Sequence, residues 1–130
     1  MSNPAPLHAA SLHAALRAHA DGINPGEAAI ELLINHGCFL ARHDFRDRFI
    51  RLATIDGTTT ADLDWPAAAE AAHHGGLPCS SSERQILQIA ASLADGIPVN
   101  LRDSLTGLDH RNLHLVVTAI LHAAGHPTTS

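Results

Sequence analysis

His110 and His114 stand four residues apart in the segment DHRNLHLVVTAILHAAG. On a helix that spacing can present two imidazoles to one metal ion. The residue after His110 is Arg111, not the glutamate of a zinc-protease helix, and a cation beside the pair opposes a divalent metal. His122 extends the fourfold spacing. Each step of four turns a side chain by about 40°, however, so His122 stands about 120° from His110. No third ligand is in reach. His110 and His114 are therefore weak metal candidates, read as a polar flank, and no metal is assigned. His73 and His74 are adjacent and point apart, and His8 and His13 are poorly aligned.

Nucleophilic chemistry has one candidate. In CSSSER, Cys79 precedes three serines just before an amphipathic run. A thiol at a helix N-terminus has its thiolate favoured by the helix dipole. No G-x-S-x-G elbow surrounds the serines, and capping accounts for them. Cys38 and Cys79 form no CxxC and read as two reduced, partly buried thiols of a cytoplasmic protein. Asp62 and Asp64 are a close carboxylate pair, but Asp64 is also placed to cap a helix. GINPGE lacks the spacing and the Lys-Ser/Thr of a phosphate loop. No catalytic residue and no cofactor are assigned. A small metal-binding protein or enzyme is the third reading, with His110, His114 and Cys79 as its residues.

The segment ARHDFRDRFIRL holds four of the chain's eight arginines and two of its three phenylalanines. Read as a helix over about 42–53, it places Phe45, Phe49 and Leu52 on one buried stripe. With Phe45 at 0°, Phe49 and Leu52 lie at about 40° and −20°, Arg46 and Arg51 lie beyond about 90°, and Arg42 and Arg48 flank the stripe at about ±60°. Arg42, Arg46, Arg48 and Arg51 then form a solvent face, interrupted by Asp44 and Asp47, and are the candidate partner-binding residues. Residues 52–83 carry five acids and no arginine. A basic segment followed by an acidic one suits contact with an acidic protein surface, including a second copy of this chain. Nucleic acid is the rival partner. A net charge of −5 and a pI near 6.1 oppose it, as does the lack of an exposed aromatic for base stacking.

Helices must position these groups. Leu12 and Leu16 mark a first helix from about Pro6 to Asp21, stopped by Gly22. Asn24-Pro25-Gly26-Glu27 starts a second, with Ile30, Leu33 and Ile34 as its apolar face and Gly37 as its stop. After the 42–53 helix, TIDGTTTADLDWP is the least helical part. Its Asp-Gly between β-branched residues offers a short hairpin near 54–60. Asp64 then restarts a helix running to His73 or His74. Serine and Glu83 open the next, with Ile86, Ile89, Ala90 and Leu93 inward. Asn100 caps a short helix and Asp109 the last. In the last helix Leu113, Val116, Val117, Ile120, Leu121 and Ala124 form one stripe expected in the core. The pair of helices around QIAASLADGIPVNLRDSL has too long a turn for a helix-turn-helix, so it reads as packing.

One hundred and thirty residues with 45% hydrophobic and 16% charged content make one globular domain. The chain has no lysine and no tyrosine, and its alanine excess points to a GC-rich bacterial genome. No apolar run approaches the about 20 residues of a membrane span, and the N-terminus lacks the basic start of a signal peptide. The expectation is a single all-α domain over 1–130 with six or seven helices and tails at 1–5 and 126–130. The alternative is α+β with the 54–60 hairpin. The leading function is a non-enzymatic interaction or accessory protein, self-associating as a homodimer through helical surfaces. The alternative is a nucleic-acid-associated regulator using the helix at 42–51.

Overall fold

The structure, a computed structural model, describes residues 8–126. The N-terminal tail and the last four residues lie outside the described residues, as does the Pro6 start expected for the first helix. Seven α-helices and one hairpin follow in order: α1 (Ala9–Ala20), α2 (Asn24–His36), α3 (His43–Phe49), β1 (Ile50–Ile55), β2 (Thr58–Leu63), α4 (Trp65–His73), α5 (Ser81–Asp95), α6 (Leu101–Thr106) and α7 (His110–Ala123). A single 3-10 turn, Phe39–Ala41, lies between α2 and α3. Helix takes up 66% of the described residues.

The described residues are mostly helical with one small two-stranded antiparallel hairpin, which fits the α+β alternative as well as the all-α expectation; its strands are longer than the 54–60 hairpin expected. β1 and β2 pair antiparallel from Ile50↔Leu63 to Ile55↔Thr58. Asp56 and Gly57 link them at φ 52° and 80°. Positive φ at both central residues is the two-residue hairpin turn whose twist matches the flanking strands, and Asp-Gly is among its preferred pairs. The β-branched residues of IRLATI and TTTADL then favour the pleat. This turn also cuts the expected helix short. α3 ends at Phe49, and Ile50 is already extended at φ −117°, ψ 126°. Leu52 is consequently no part of a helical stripe and is 53% exposed.

α2 is the central element. Ala28, Ala29, Ile30, Leu32 and Leu33 are all buried along it, with α1, α5 and α7 packed around. Leu12 and Leu16 of α1 face inward as expected, and α1 also covers β2. Phe39, Phe45 and Phe49 form a tilted aromatic row with centroids 5.2 Å apart at each step. The helix ends follow the caps read from sequence. Asp64, Asn100 and Asp109 accept from the backbone N–H three residues on. Ser80 and Glu83 form a reciprocal capping box. α2 departs slightly: its helix begins at Asn24 without a side-chain cap, while Glu27 accepts from the Gly22 N–H at 3.0 Å. Among the described residues no helix is long and apolar enough to cross a membrane.

Two truncations separate the observed α3–β1 junction from an unbroken helix. Phe45→Ala should cost about 3–5 kcal/mol in urea unfolding, because it empties a fully buried aromatic site. Leu52→Ala should stay within about 0.5 kcal/mol, as for an exposed surface position. A Leu52→Ala cost matching that of Phe45→Ala would restore the helical stripe.

Candidate interaction surfaces

The last helix is turned away from its expected orientation. Leu113, Val117, Ile120 and Leu121 are exposed, at 40%, 47%, 46% and 38%, whereas Val116, Ala119 and Asn112 are buried. With Val117 at 0°, His110, Leu113, His114, Ile120, Leu121 and Ala124 fall within about ±60°. The buried Asn112, Val116 and Ala119 lie between about −100° and −160°. The expected single stripe is two arcs, and only the narrower one packs inward.

Polar contacts account for the rotation. Arg111 Nη2 donates to the Asn35 carbonyl at 2.9 Å, at the C-terminal end of α2. His122 Nε2 lies 3.3 Å from Glu27 Oε1, near the start of α2, so α7 runs antiparallel to it. Asn112 Nδ2 donates to Ser82 Oγ of α5 at 2.9 Å. Arg111, Asn112 and His122 all project from the side of α7 opposite Val117. Three polar groups thus hold the side that binds α2 and α5; Leu115 and Val116 pack against the core, and Leu113, Val117, Ile120 and Leu121 point outward. The Glu27 carboxyl is held below the usual carboxylate range by the Gly22 N–H first and by His122 second. His110 and His114 lie exposed on the outward face at the start of α7. Among the described residues no three His, Cys, Asp or Glu side chains are grouped to hold a metal ion.

The arginines do not share one face. Arg42 grips Asp44 with two N–H groups at 2.9 and 2.6 Å and donates a third to the Pro78 carbonyl at 2.6 Å. Its guanidinium keeps the Asp44 carboxyl below the ordinary range. Arg46 Nε donates to the Leu40 carbonyl at 2.8 Å, and Arg48 Nη1 to the Gly76 carbonyl at 2.8 Å. Arg48 also stacks over the Phe49 ring at 4.7 Å. Arg51 is exposed on β1, opposite Asp62 in the strand register. Arg42 and Arg48 thereby tie α3 to the 76–78 loop.

The two cysteines, separate in sequence, share the neighbourhood of Glu83. Cys38 Sγ donates to Glu83 Oε2 at 2.9 Å, and Glu83 also accepts from the Ser80 N–H at 2.7 Å. Burial, reinforced by that hydrogen bond, pushes the Cys38 thiol up to about 12. Cys79 is likewise raised, first by burial and then by the Glu83 charge. Burial first and the Glu83 charge second thus disfavour the Cys79 thiolate that a position beside the start of α5 would otherwise favour. Asp62 and Asp64 do not act as a pair, since Asp64 caps α4 and Asp62 lies 3.3 Å from His19 Nε2.

A cleft of about 740 Å³ opens between α4, α5 and the 97–100 segment. Glu70 and Asp103 line it together with Arg84, His73 and Gln88, so no ligand charge is favoured. Compared with protein-family models, curated proteins and solved structures, the chain finds no match.

The thiol geometry makes a direct prediction. At pH 8 a thiol titrating near 12 is thiolate in about one molecule in ten thousand, so Cys38 should alkylate only on unfolding. Cys79 should react more slowly than an unperturbed peptide thiol. The chain has no tyrosine or lysine, leaving cysteine as the side chain that titrates from 9 to 12. The unfolded chain releases the Cys38 proton first, so stability is full below the ordinary value of 9.0 and falls as pH rises toward 12. Cys38→Ser should flatten most of that decline. Rapid native alkylation of Cys79 would reinstate it as a reactive residue.

Proposed function

We propose that this chain is a non-enzymatic interaction protein that associates with a second copy of itself, and that the copies share the outward face of α7. The observation that carries the reading is the uncharged apolar surface of Leu113, Val117, Ile120 and Leu121, each more than a third exposed. A helix apolar on two faces belongs in an interior, and here one of those faces is exposed. Positions 110, 113, 117, 120 and 124 alternate steps of three and four, the period of a coiled-coil seam. A twofold axis lays this face against itself without opposing formal charges, as a self-complementary patch requires. In the antiparallel arrangement His110 and His114 approach the partner's helix C-terminus, whose carbonyls favour donors.

The rival, a nucleic-acid regulator using Arg42, Arg46, Arg48 and Arg51, has less in its favour. Three of those guanidiniums already donate to backbone carbonyls, and the net charge is −5.

Val117→Glu and Ile120→Glu test the proposal by sedimentation. Both side chains are exposed in the isolated chain, so the helical spectrum should not change. Burying an unpaired carboxylate should weaken self-association about a hundredfold or more. Unchanged association in both variants would remove α7 from the interface. A wild-type shift on DNA or RNA in moderate salt, lost in Arg46→Glu/Arg48→Glu, would favour the regulator instead.

A further inference from the structure

Among the described residues β1 is a strand with one partner. β2 lies on one edge and is covered by α1, whereas Arg51 through Ile55 are exposed. A lone two-stranded hairpin is marginal in water, and strands left open at an edge are normally blunted by lysine, proline or a bulge. IRLATI has no proline, carries one charged residue, Arg51, near its start, and its register runs unbroken through all six pairs.

The register shows which backbone groups are free. A two-residue turn with positive φ at Asp56 and Gly57 makes Ile55↔Thr58 a hydrogen-bonded pair. The Asp64 N–H donates to the Phe49 carbonyl at 2.7 Å, six residues back along the same ladder, which fixes the alternation. Arg51, Ala53 and Ile55 therefore bond toward β2. Leu52 and Thr54 point their N–H and C=O groups away from it, into the open edge.

We propose that β1 pairs antiparallel with β1 of a second copy, joining two hairpins into one four-stranded sheet. Placing Leu52 opposite the partner's Thr54 lets both outward residues of each copy exchange hydrogen bonds. Ala53 then meets the partner's Ala53 on the twofold axis, where the small side chains permit close approach. Arg51 falls opposite the partner's Ile55, so the two arginines do not oppose each other, and like charges directly across a ladder are destabilising. On the inner face, Leu52 gains the partner's Thr54 as a cross-strand neighbour. The edge pairs with itself with small residues at the axis and no like charges opposed, and a second copy is the occupant this pattern fits. This contact is separate from the α7 face and stands without it. Where both form, each copy has two partners and the assembly exceeds a dimer.

Hydrogen exchange by NMR reads the edge directly. The inward amides of Ala53 and Ile55 should be protected at every protein concentration. The outward amides of Leu52 and Thr54 should exchange freely in dilute protein and slow about tenfold or more as concentration rises. Thr54→Pro removes an outward donor that the β1–β2 ladder does not use, and Ala53→Lys sets two cations on the axis. Either substitution should abolish the concentration dependence at Leu52, while Val117→Glu leaves it in place. The proposal is overturned if Leu52 and Thr54 exchange at one rate throughout, whether the protein self-associates or stays monomeric. It is equally overturned if Val117→Glu alone removes their protection, since the slowing would then originate at α7.

Discussion

The rotation of α7 about its own axis is the constraint on which the molecule's surface depends. Its inward arc carries only Val116 and Ala119 as fully buried apolar residues, a small hydrophobic contribution for a helix of 14 residues. Polar pins complete the docking: Arg111 to Asn35, Asn112 to Ser82 and His122 beside Glu27. Hydrogen bonds are directional where hydrophobic burial is not. Three of them along one side leave a single orientation, and in it Leu113, Val117, Ile120 and Leu121 face outward. Turning Leu113, Val117 and Ile120 inward would leave Asn112 and Arg111 without these partners.

Much of this architecture was legible in the sequence because it is local. Asp64, Ser80, Asn100 and Asp109 cap helices through side-chain bonds spanning three residues. Gly37 and Gly96 take the left-handed conformation that ends α2 and α5, which their lack of a Cβ permits. Phe45 and Phe49 were placed in the core by spacing alone. Two long-range effects were not legible. The helical wheel drawn through Leu52 extended a period past the point where the Asp56-Gly57 turn imposes another. In α7, Val116 and Val117 lie about 100° apart, so one stripe through both merged two faces. The usable signal was Arg111, Asn112 and His122 on a common side, a polar side that proved to face the interior.

The arginine segment shows how composition can suggest a surface and geometry assign it elsewhere. Arg42, Arg46 and Arg48 bind carbonyls at Pro78, Leu40 and Gly76, so the cations fasten α3 to neighbouring backbone. Glu83 does comparable work at the start of α5, serving the capping box and receiving the Cys38 thiol at once. Arg42, Arg46, Arg48 and Glu83 are thus committed within the fold. Among the described residues, the outward side of α7 and the open edge of β1 are left exposed.

Isotope-filtered NOE spectroscopy on an equal mixture of carbon-13-labelled and unlabelled chains tests the central claim most directly. Methyl groups of Leu113, Val117, Ile120 and Leu121 should show NOEs between copies, while the Val116 methyls, buried against the chain's own helices, show them only within one. An associated protein whose α7 methyls give no intermolecular NOE would contradict the account, as would Val116 methyls in contact with the other copy.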